Sequence, residues 1–148
     1  MNFVDFYPGQ RLAFGPATID EAEILAFARE YDPQWFHTDV GRANAGRWQG
    51  LIASGWQTCG IAMRLAVEGA LGSSETFGSP GLEYLKWLAP VRPGDTLTLE
   101  VEVLDVRRSE RQPTLGVLRW RWQLFNQDRA AVLELVATNF FDLGPSDA

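Results

Sequence analysis

The sequence predicts an α+β fold in which one antiparallel sheet curls around a long central helix. Helical patterns fill the first half of the chain, and strand patterns fill most of the second half. Between them, residues 55–71 form a helical pattern that is apolar on almost every side, as in a helix enclosed by other elements. Helices and strands segregated in this way are typical of α+β proteins. We expect a single domain over residues 1–148, an ordinary length for one hydrophobic core.

The first predicted elements are an edge strand and a helix. Residues 10–17 carry mixed apolar residues and end at Gly15-Pro16, which favours a short edge strand. Thr18 and Glu21 have the spacing of a capping box, which marks the start of a helix. Apolar residues then recur every three or four positions, so this helix should bury one face.

A proline ends this helix. Pro33 keeps the residue before it out of the α region, so the helix should stop near Tyr31 and residues 32–38 should form a loop. Asp39 can then cap a short helix that continues through Ala43.

The central helix over residues 55–71 is predicted to be covered by a sheet. Its polar residues fall on one narrow stripe: Gln57, Arg64 and Glu68. Gly60 and Gly69 should let other elements approach closely, at a cost of about 1 kcal/mol each in helix propensity.

The second half of the chain is predicted to form the sheet. Residues 72–81 are rich in Ser, Gly and Pro and favour a loop. Apolar and polar residues then alternate over residues 97–103 and 118–124, which gives each strand one buried face. The phase of the first strand changes at Leu104, which suggests a β-bulge. A last strand is expected over about residues 130–141, before a polar tail from Gly144.

Composition limits the possible partners and the compartment. A formal net charge of −6 argues against nucleic acid as the main partner, because binding to phosphates requires a basic face. Cys59 is the single cysteine and the chain has one histidine, so neither a disulfide nor structural zinc is expected. No stretch resembles a signal peptide or a membrane span, and we expect a soluble protein in the cytoplasm.

The motif with the most specific spacing begins at Asp32. Pro33 follows it directly, His37 follows five residues later, and the small residue Ala43 lies six residues beyond the histidine. The run Gly-Leu-Ile-Ala-Ser-Gly over residues 50–55 then opens the central helix. Together these features resemble the MaoC-like, (R)-specific enoyl-CoA hydratase family, and the likeness extends from Thr18 through the later strands.

The resemblance implies a hot-dog fold and a catalytic pair made of Asp32 and His37. A hydratase needs a base that takes a proton from water and an acid that gives one to the α-carbon of the substrate. The backbone N–H of Gly55, at the start of the central helix, would polarise the thioester carbonyl. Ser54 could cap that helix or orient Asp32. No metal or organic cofactor is implied.

The resemblance also implies an acyl-CoA thioester as substrate, with acyl carrier protein as a possible alternative carrier. The expected substrate-binding residues surround the motif: Trp35, Phe36, Ile52, Ala53 and Trp56. Relatives commonly carry Asn-Pro where this chain has Gln34-Trp35, so we expect Trp35 to narrow the acyl pocket. A homodimer or a dimer of dimers is expected, because relatives pair sheet edges across a two-fold axis.

Simpler interpretations compete with this one. An aspartate before a proline is a common turn residue, and a lone histidine in a loop is usually structural. The joint spacing of Asp32, His37 and the Ser54-Gly55 pair favours catalysis over both. Two other functions on the same fold remain open at this stage: an acyl-CoA thioesterase, and a non-catalytic acyl-CoA-binding or partner subunit.

Overall fold

A computed structural model describes residues 1–145 of the chain. The strands are β1 (Arg11–Thr18), β2 (Thr76–Trp87), β3 (Thr96–Arg108), β4 (Leu115–Phe125) and β5 (Ala131–Asp142). The helices are α1 (Glu21–Tyr31), α2 (Trp35–Thr38), α3 (Val40–Asn44) and α4 (Gly55–Ala66), which continues as a π-helical turn over Val67–Leu71. The polar tail predicted from Gly144 lies partly outside the described residues.

The five strands form one antiparallel sheet in the order β1-β3-β4-β5-β2. The inward residues of β3 and β4 are the apolar sets that alternate in the sequence, and they pack against the inner face of α4. A register shift between Val103 and Asp105 confirms the predicted bulge. The α+β class and the sheet around a central helix are therefore as predicted.

Three local predictions were wrong, each because a tertiary contact overrides the local pattern. The capping box of α1 is formed by Asp20 and Glu23, since β1 extends through Thr18. Residues 35–38 form the helical turn α2 instead of a loop. Strand β2 begins at Thr76, inside the predicted loop, because β5 pairs with it through several register shifts.

The prediction that α4 is covered on nearly every side was also wrong. The sheet curls around its inner side only, and a second apolar face carrying Trp56, Met63 and Val67 is exposed. Gly69 does allow close approach: a Cβ there would lie 2.1 Å from the Phe14 ring of β1. Gly60 does not serve this purpose, because a Cβ there would meet no heavy atom within 4 Å.

Candidate active site

The sequence motif folds into one cleft of about 460 Å³ at the N-terminus of α4. Most of the predicted site residues line it: Asp32, Phe36, His37, Ile52, Ala53, Gly55 and Trp56. The other walls come from Trp48, from Trp87 at the end of β2 and from the segment that follows it. The backbone of Asp32, which precedes Pro33, is non-helical and ends α1, and the short turn α2 that carries His37 follows directly.

The ring of His37 is held in one orientation. It is 4 % exposed, and Nδ1 lies 2.7 Å from the backbone oxygen of Ile52. Because a carbonyl oxygen only accepts, Nδ1 carries a proton and donates it to this bond. The other ring nitrogen, Nε2, lies 3.3 Å from Oδ2 of Asp32. Nε2 is therefore the atom left to exchange protons, and it faces the carboxylate.

Ser54 fills both roles that its position suggests. Its hydroxyl donates to Oδ2 of Asp32 at 2.8 Å, and its oxygen accepts from the backbone N–H of Trp56 at 3.3 Å. The residue is completely buried. One side chain thus caps α4 and fixes the carboxylate at the helix N-terminus.

Gln34 is a site residue whose contact the sequence did not reveal. Its amide donates to Oδ1 of Asp32 at 2.8 Å, so each carboxylate oxygen accepts one side-chain hydrogen bond. Partial burial acts to raise the pKa of Asp32. The hydrogen bonds from Gln34 and Ser54 and the charge of His37 outweigh burial and hold this pKa below its ordinary value. Asp32 is therefore a carboxylate at neutral pH.

Gly55 supplies a backbone donor at the start of α4. The N–H groups of the next three residues all bond to Ser54, whereas that of Gly55 has no partner within residues 1–145. It lies at the positive end of the α4 dipole and borders the cleft. A developing oxyanion placed there would gain both a hydrogen bond and a favourable field.

Trp35 lies away from the cleft, unlike the other predicted substrate-binding residues. Its indole packs against Gly46, and the guanidinium of Arg42 stacks 4.4 Å from the centre of one of its rings. The geometry does not support the expectation that Trp35 narrows an acyl pocket. The aromatic walls come instead from Trp48, Trp56 and Trp87, and the last of these lies far from the motif in sequence.

Gln34→Ala should change the pH dependence of any reaction that uses the Asp32 carboxylate. Loss of the hydrogen bond raises the pKa of Asp32 toward its ordinary value, because that bond stabilises the charged form. The acidic limb of kcat/KM against pH should then move to higher pH. Gln112→Ala, at an exposed glutamine in the β3–β4 loop, is the matched control. An acidic limb that does not move would show that the hydrogen bond from Gln34 does not influence the pKa of Asp32.

The comparisons with known proteins agree with the fold. The MaoC-like domain family matches residues 5–119. The uncharacterised protein YdeM of Bacillus subtilis is 32% identical over 134 residues, covering 90% of this chain and 94% of YdeM. A MaoC-like dehydratase from Rhodospirillum rubrum superposes with a TM-score of 0.88 at 34% identity, covering 97% of both chains.

A more distant solved structure has the same fold. The (R)-hydratase PhaJ1 from Pseudomonas aeruginosa superposes with a TM-score of 0.76 at 22% identity, over 99% of this chain and 92% of PhaJ1. The fold and these structural neighbours together define a hot-dog protein. The chain belongs to the MaoC-like domain family.

Among residues 1–145, no helix has the length and hydropathy needed to cross a membrane.

Proposed function

We propose that this protein catalyses the (R)-specific hydration of a 2-enoyl-CoA, or the reverse dehydration of a 3-hydroxyacyl-CoA. The observation that carries the proposal is the meeting of three groups in one cleft. These groups are the Asp32 carboxylate, the Nε2 atom of His37 that faces it, and the free N–H of Gly55. The (R)-hydratases among the structural neighbours support the reaction class.

The three groups supply what addition of water to an enoyl thioester requires. The water donates one proton to the Asp32–His37 pair as its oxygen bonds to the β-carbon. The electrons of the double bond move toward the thioester oxygen, where the Gly55 N–H stabilises the negative charge. The pair returns one proton to the α-carbon. Hydrogen and hydroxyl are thus added across the double bond, and Asp32 and His37 return to their starting protonation states.

Two other functions compete with this one. A hot-dog thioesterase would use the same helix N-terminus but direct water to the carbonyl carbon and release free coenzyme A. A binding or partner subunit would hold the thioester unchanged. Both are less favoured, since the proton-exchanging atom of His37 faces Asp32 directly and Ser54 and Gln34 hold the carboxylate in place.

One incubation separates the three functions. The purified protein is mixed with trans-2-enoyl-CoA thioesters of four to eight carbons, and the products are separated by chromatography. We expect 3-hydroxyacyl-CoA, with the (R) enantiomer identified after hydrolysis on a chiral column. Free coenzyme A as the first product would indicate a thioesterase, and unchanged substrate that stays bound would indicate a binding subunit.

We also propose that the chain forms a homodimer through β2. Within residues 1–145 the outer edge of β2 has no partner strand, and Phe77 and Leu82 on this strand are 62% and 48% exposed. An apolar edge of this kind favours pairing with a second copy. Such pairing would also shield the exposed face of α4.

A charge placed on this edge should separate the copies. Leu82→Glu would bring two carboxylates together at the proposed interface, so we expect a monomer at micromolar concentration where the wild type is a dimer or dimer of dimers. Light scattering measures both masses. Ala26→Glu, on the exposed face of α1, adds the same single negative charge and is the control. A wild-type protein that is monomeric would contradict the proposal.

A further inference from the structure

The hydrogen bond that orients His37 continues beyond its first acceptor. The Nδ1–H group of His37 donates to the backbone oxygen of Ile52 at 2.7 Å. That oxygen shares a peptide group with the N–H of Ala53, which donates to the backbone oxygen of Val91 at 2.8 Å. The imidazole is therefore linked through one peptide group to the segment between β2 and β3.

The same pattern repeats in that segment and ends on a carboxylate. The Val91 oxygen shares a peptide group with the N–H of Arg92, which donates to Oδ2 of Asp95 at 2.9 Å. All three bonds run from donor to acceptor in the direction away from His37. Hydrogen bonds in series polarise one another, so a negative charge at the end strengthens each of them. We call this series of three bonds, from His37 to Asp95, the peptide relay.

Asp95 differs from the other acidic residues in its burial. Among residues 1–145 it is the only aspartate or glutamate that is buried, with 8 % of its surface exposed. Its second oxygen, Oδ1, accepts from the side-chain amide of Gln127 at 3.0 Å. Within this part of the chain Asp95 forms no ion pair, and the guanidinium of the nearby Arg92 donates to the Trp48 oxygen. A buried carboxylate without a cation depends on its hydrogen-bond donors, so its charge acts directly on the relay.

From this geometry we infer that Asp95 is a positioning residue that holds His37 in its reactive form. The charge at the end of the peptide relay keeps the ring proton on Nδ1, which leaves Nε2 free to exchange protons beside Asp32. Asp95 does not line the cleft, so it acts through His37 alone. Its part in catalysis rests on the proposed function, whereas the state of the ring can be measured without a substrate.

A simpler interpretation gives Asp95 a role in the turn before β3 and none in catalysis. Aspartate is a common turn residue, and the N–H of Asp95 donates to the Arg92 oxygen at 3.1 Å. The two interpretations differ in what they predict for Asp95→Asn. Asparagine keeps the shape of the side chain and an oxygen for the Arg92 N–H, so the turn should remain, but the charge at the end of the relay is lost.

Nitrogen-15 NMR of the histidine ring measures the state of the relay directly. The chain has one histidine, so in protein without a histidine tag every imidazole signal belongs to His37. In the neutral ring the two nitrogen shifts show which atom carries the proton, and the shift of the Nδ1–H proton reports the strength of its hydrogen bond. We expect the wild type to be protonated on Nδ1 alone. Asp95→Asn should move the Nδ1–H proton signal upfield and produce a second species protonated on Nε2.

The same variant should lower kcat for hydration by about 10- to 100-fold, the loss seen when an outer partner of a metal-binding histidine is removed. KM should change little, because Asp95 does not line the cleft. The asparagine amide turns an N–H group toward Gln127, so Gln127→Ala is the control for that lost contact and should shift the His37 signals less than Asp95→Asn. Asp128→Asn, at an exposed aspartate in the β4–β5 loop, removes one charge elsewhere and should leave the signals and kcat unchanged.

Different results overturn different statements. If the wild type hydrates no 2-enoyl-CoA, the proposed function fails and the part of Asp95 in catalysis fails with it, while the ring signals still decide whether Asp95 positions His37. If the wild type is active and Asp95→Asn leaves the ring signals unchanged, the function stands and the positioning role is wrong. An equal change of these signals in Gln127→Ala would assign the effect to the Gln127 contact and contradict the role of the charge.

A measurement on the wild type covers the case in which Asp95→Asn does not fold. A scalar coupling through the hydrogen bond is expected between the Ala53 nitrogen and the Val91 carbonyl carbon, which form the middle bond of the relay. Absence of this coupling would mean that the relay is interrupted and that Asp95 cannot act on His37 through it.

Discussion

Asp32→Asn and His37→Asn should each reduce kcat/KM for hydration by about 10² to 10⁴, the range for loss of one general acid or base. Asparagine at position 32 keeps the shape of the side chain and can accept the hydrogen bond from Gln34, with its NH2 group turned to the Ser54 hydroxyl oxygen, but it cannot take a proton from water. Asparagine at position 37 offers an amide that can keep the bond to the Ile52 carbonyl and lacks a group that exchanges protons. The loss should therefore lie in the chemical step.

The choice of asparagine at position 37 follows from burial. His37 is 4 % exposed, so truncation to alanine would leave a cavity and a carbonyl without its donor, at about 1–3 kcal/mol. With asparagine the thermal midpoint should stay near that of the wild type, and a loss of rate can then be assigned to chemistry.

The double variant tests whether the two residues act as a unit. Because Asp32 and His37 face each other and act on one water in the proposed reaction, the double variant should be hardly slower than the slower single variant. If the reduction in kcat/KM of the double variant equals the product of the two single reductions, Asp32 and His37 have independent roles. Near wild-type hydration by folded single variants would mean that the pair is structural in this chain.

The second large effect should come from Gly55→Pro compared with Gly55→Ala. Proline has no backbone N–H, and it is favoured at the first position of a helix. Ser54, with φ −57° and ψ 136°, already has the backbone conformation that a residue before proline prefers. Relative to Gly55→Ala, we expect Gly55→Pro to lower kcat by about 10² to 10³, the usual loss for one oxyanion donor.

Alanine is the matched control because both variants carry a Cβ. That atom would lie 2.5 Å from the Trp87 ring, so both variants must displace the indole by a similar amount. Calorimetric binding of saturated butanoyl-CoA should remain similar in the two, which would exclude blockage of the cleft by the proline ring. Equal kcat values for Gly55→Pro and Gly55→Ala would mean that a donor other than the Gly55 N–H polarises the thioester carbonyl.

The sequence predicts those features that depend on local pattern or on fixed spacing. The alternation in β3 and β4 defines which residues face the core, because successive side chains in a strand point to opposite faces. Pro33 constrains Asp32 through its ring, so the end of α1 follows from two adjacent residues. The spacing from Asp32 to His37 likewise predicts that both side chains share one site.

Other features could not be predicted because they depend on residues distant in sequence. Trp87 is 32 residues from the Gly55 carbonyl that fixes its ring, and no local pattern relates the two. Strand β2 forms through a Gly- and Pro-rich segment only because β5 is available to pair with it.

What the sequence by itself determined is the α+β class, the faces of the main strands and the position of the Asp32–His37 pair on the chain. These follow from short-range sterics and from the periodicity of apolar residues. Only the tertiary structure decided that Trp35 packs against Gly46 away from the cleft, and that Trp56 and Trp87 form its wall. The physical reason is that the groups that orient these side chains, Gly46 for Trp35 and the Gly55 carbonyl for Trp87, come into contact with them only after folding.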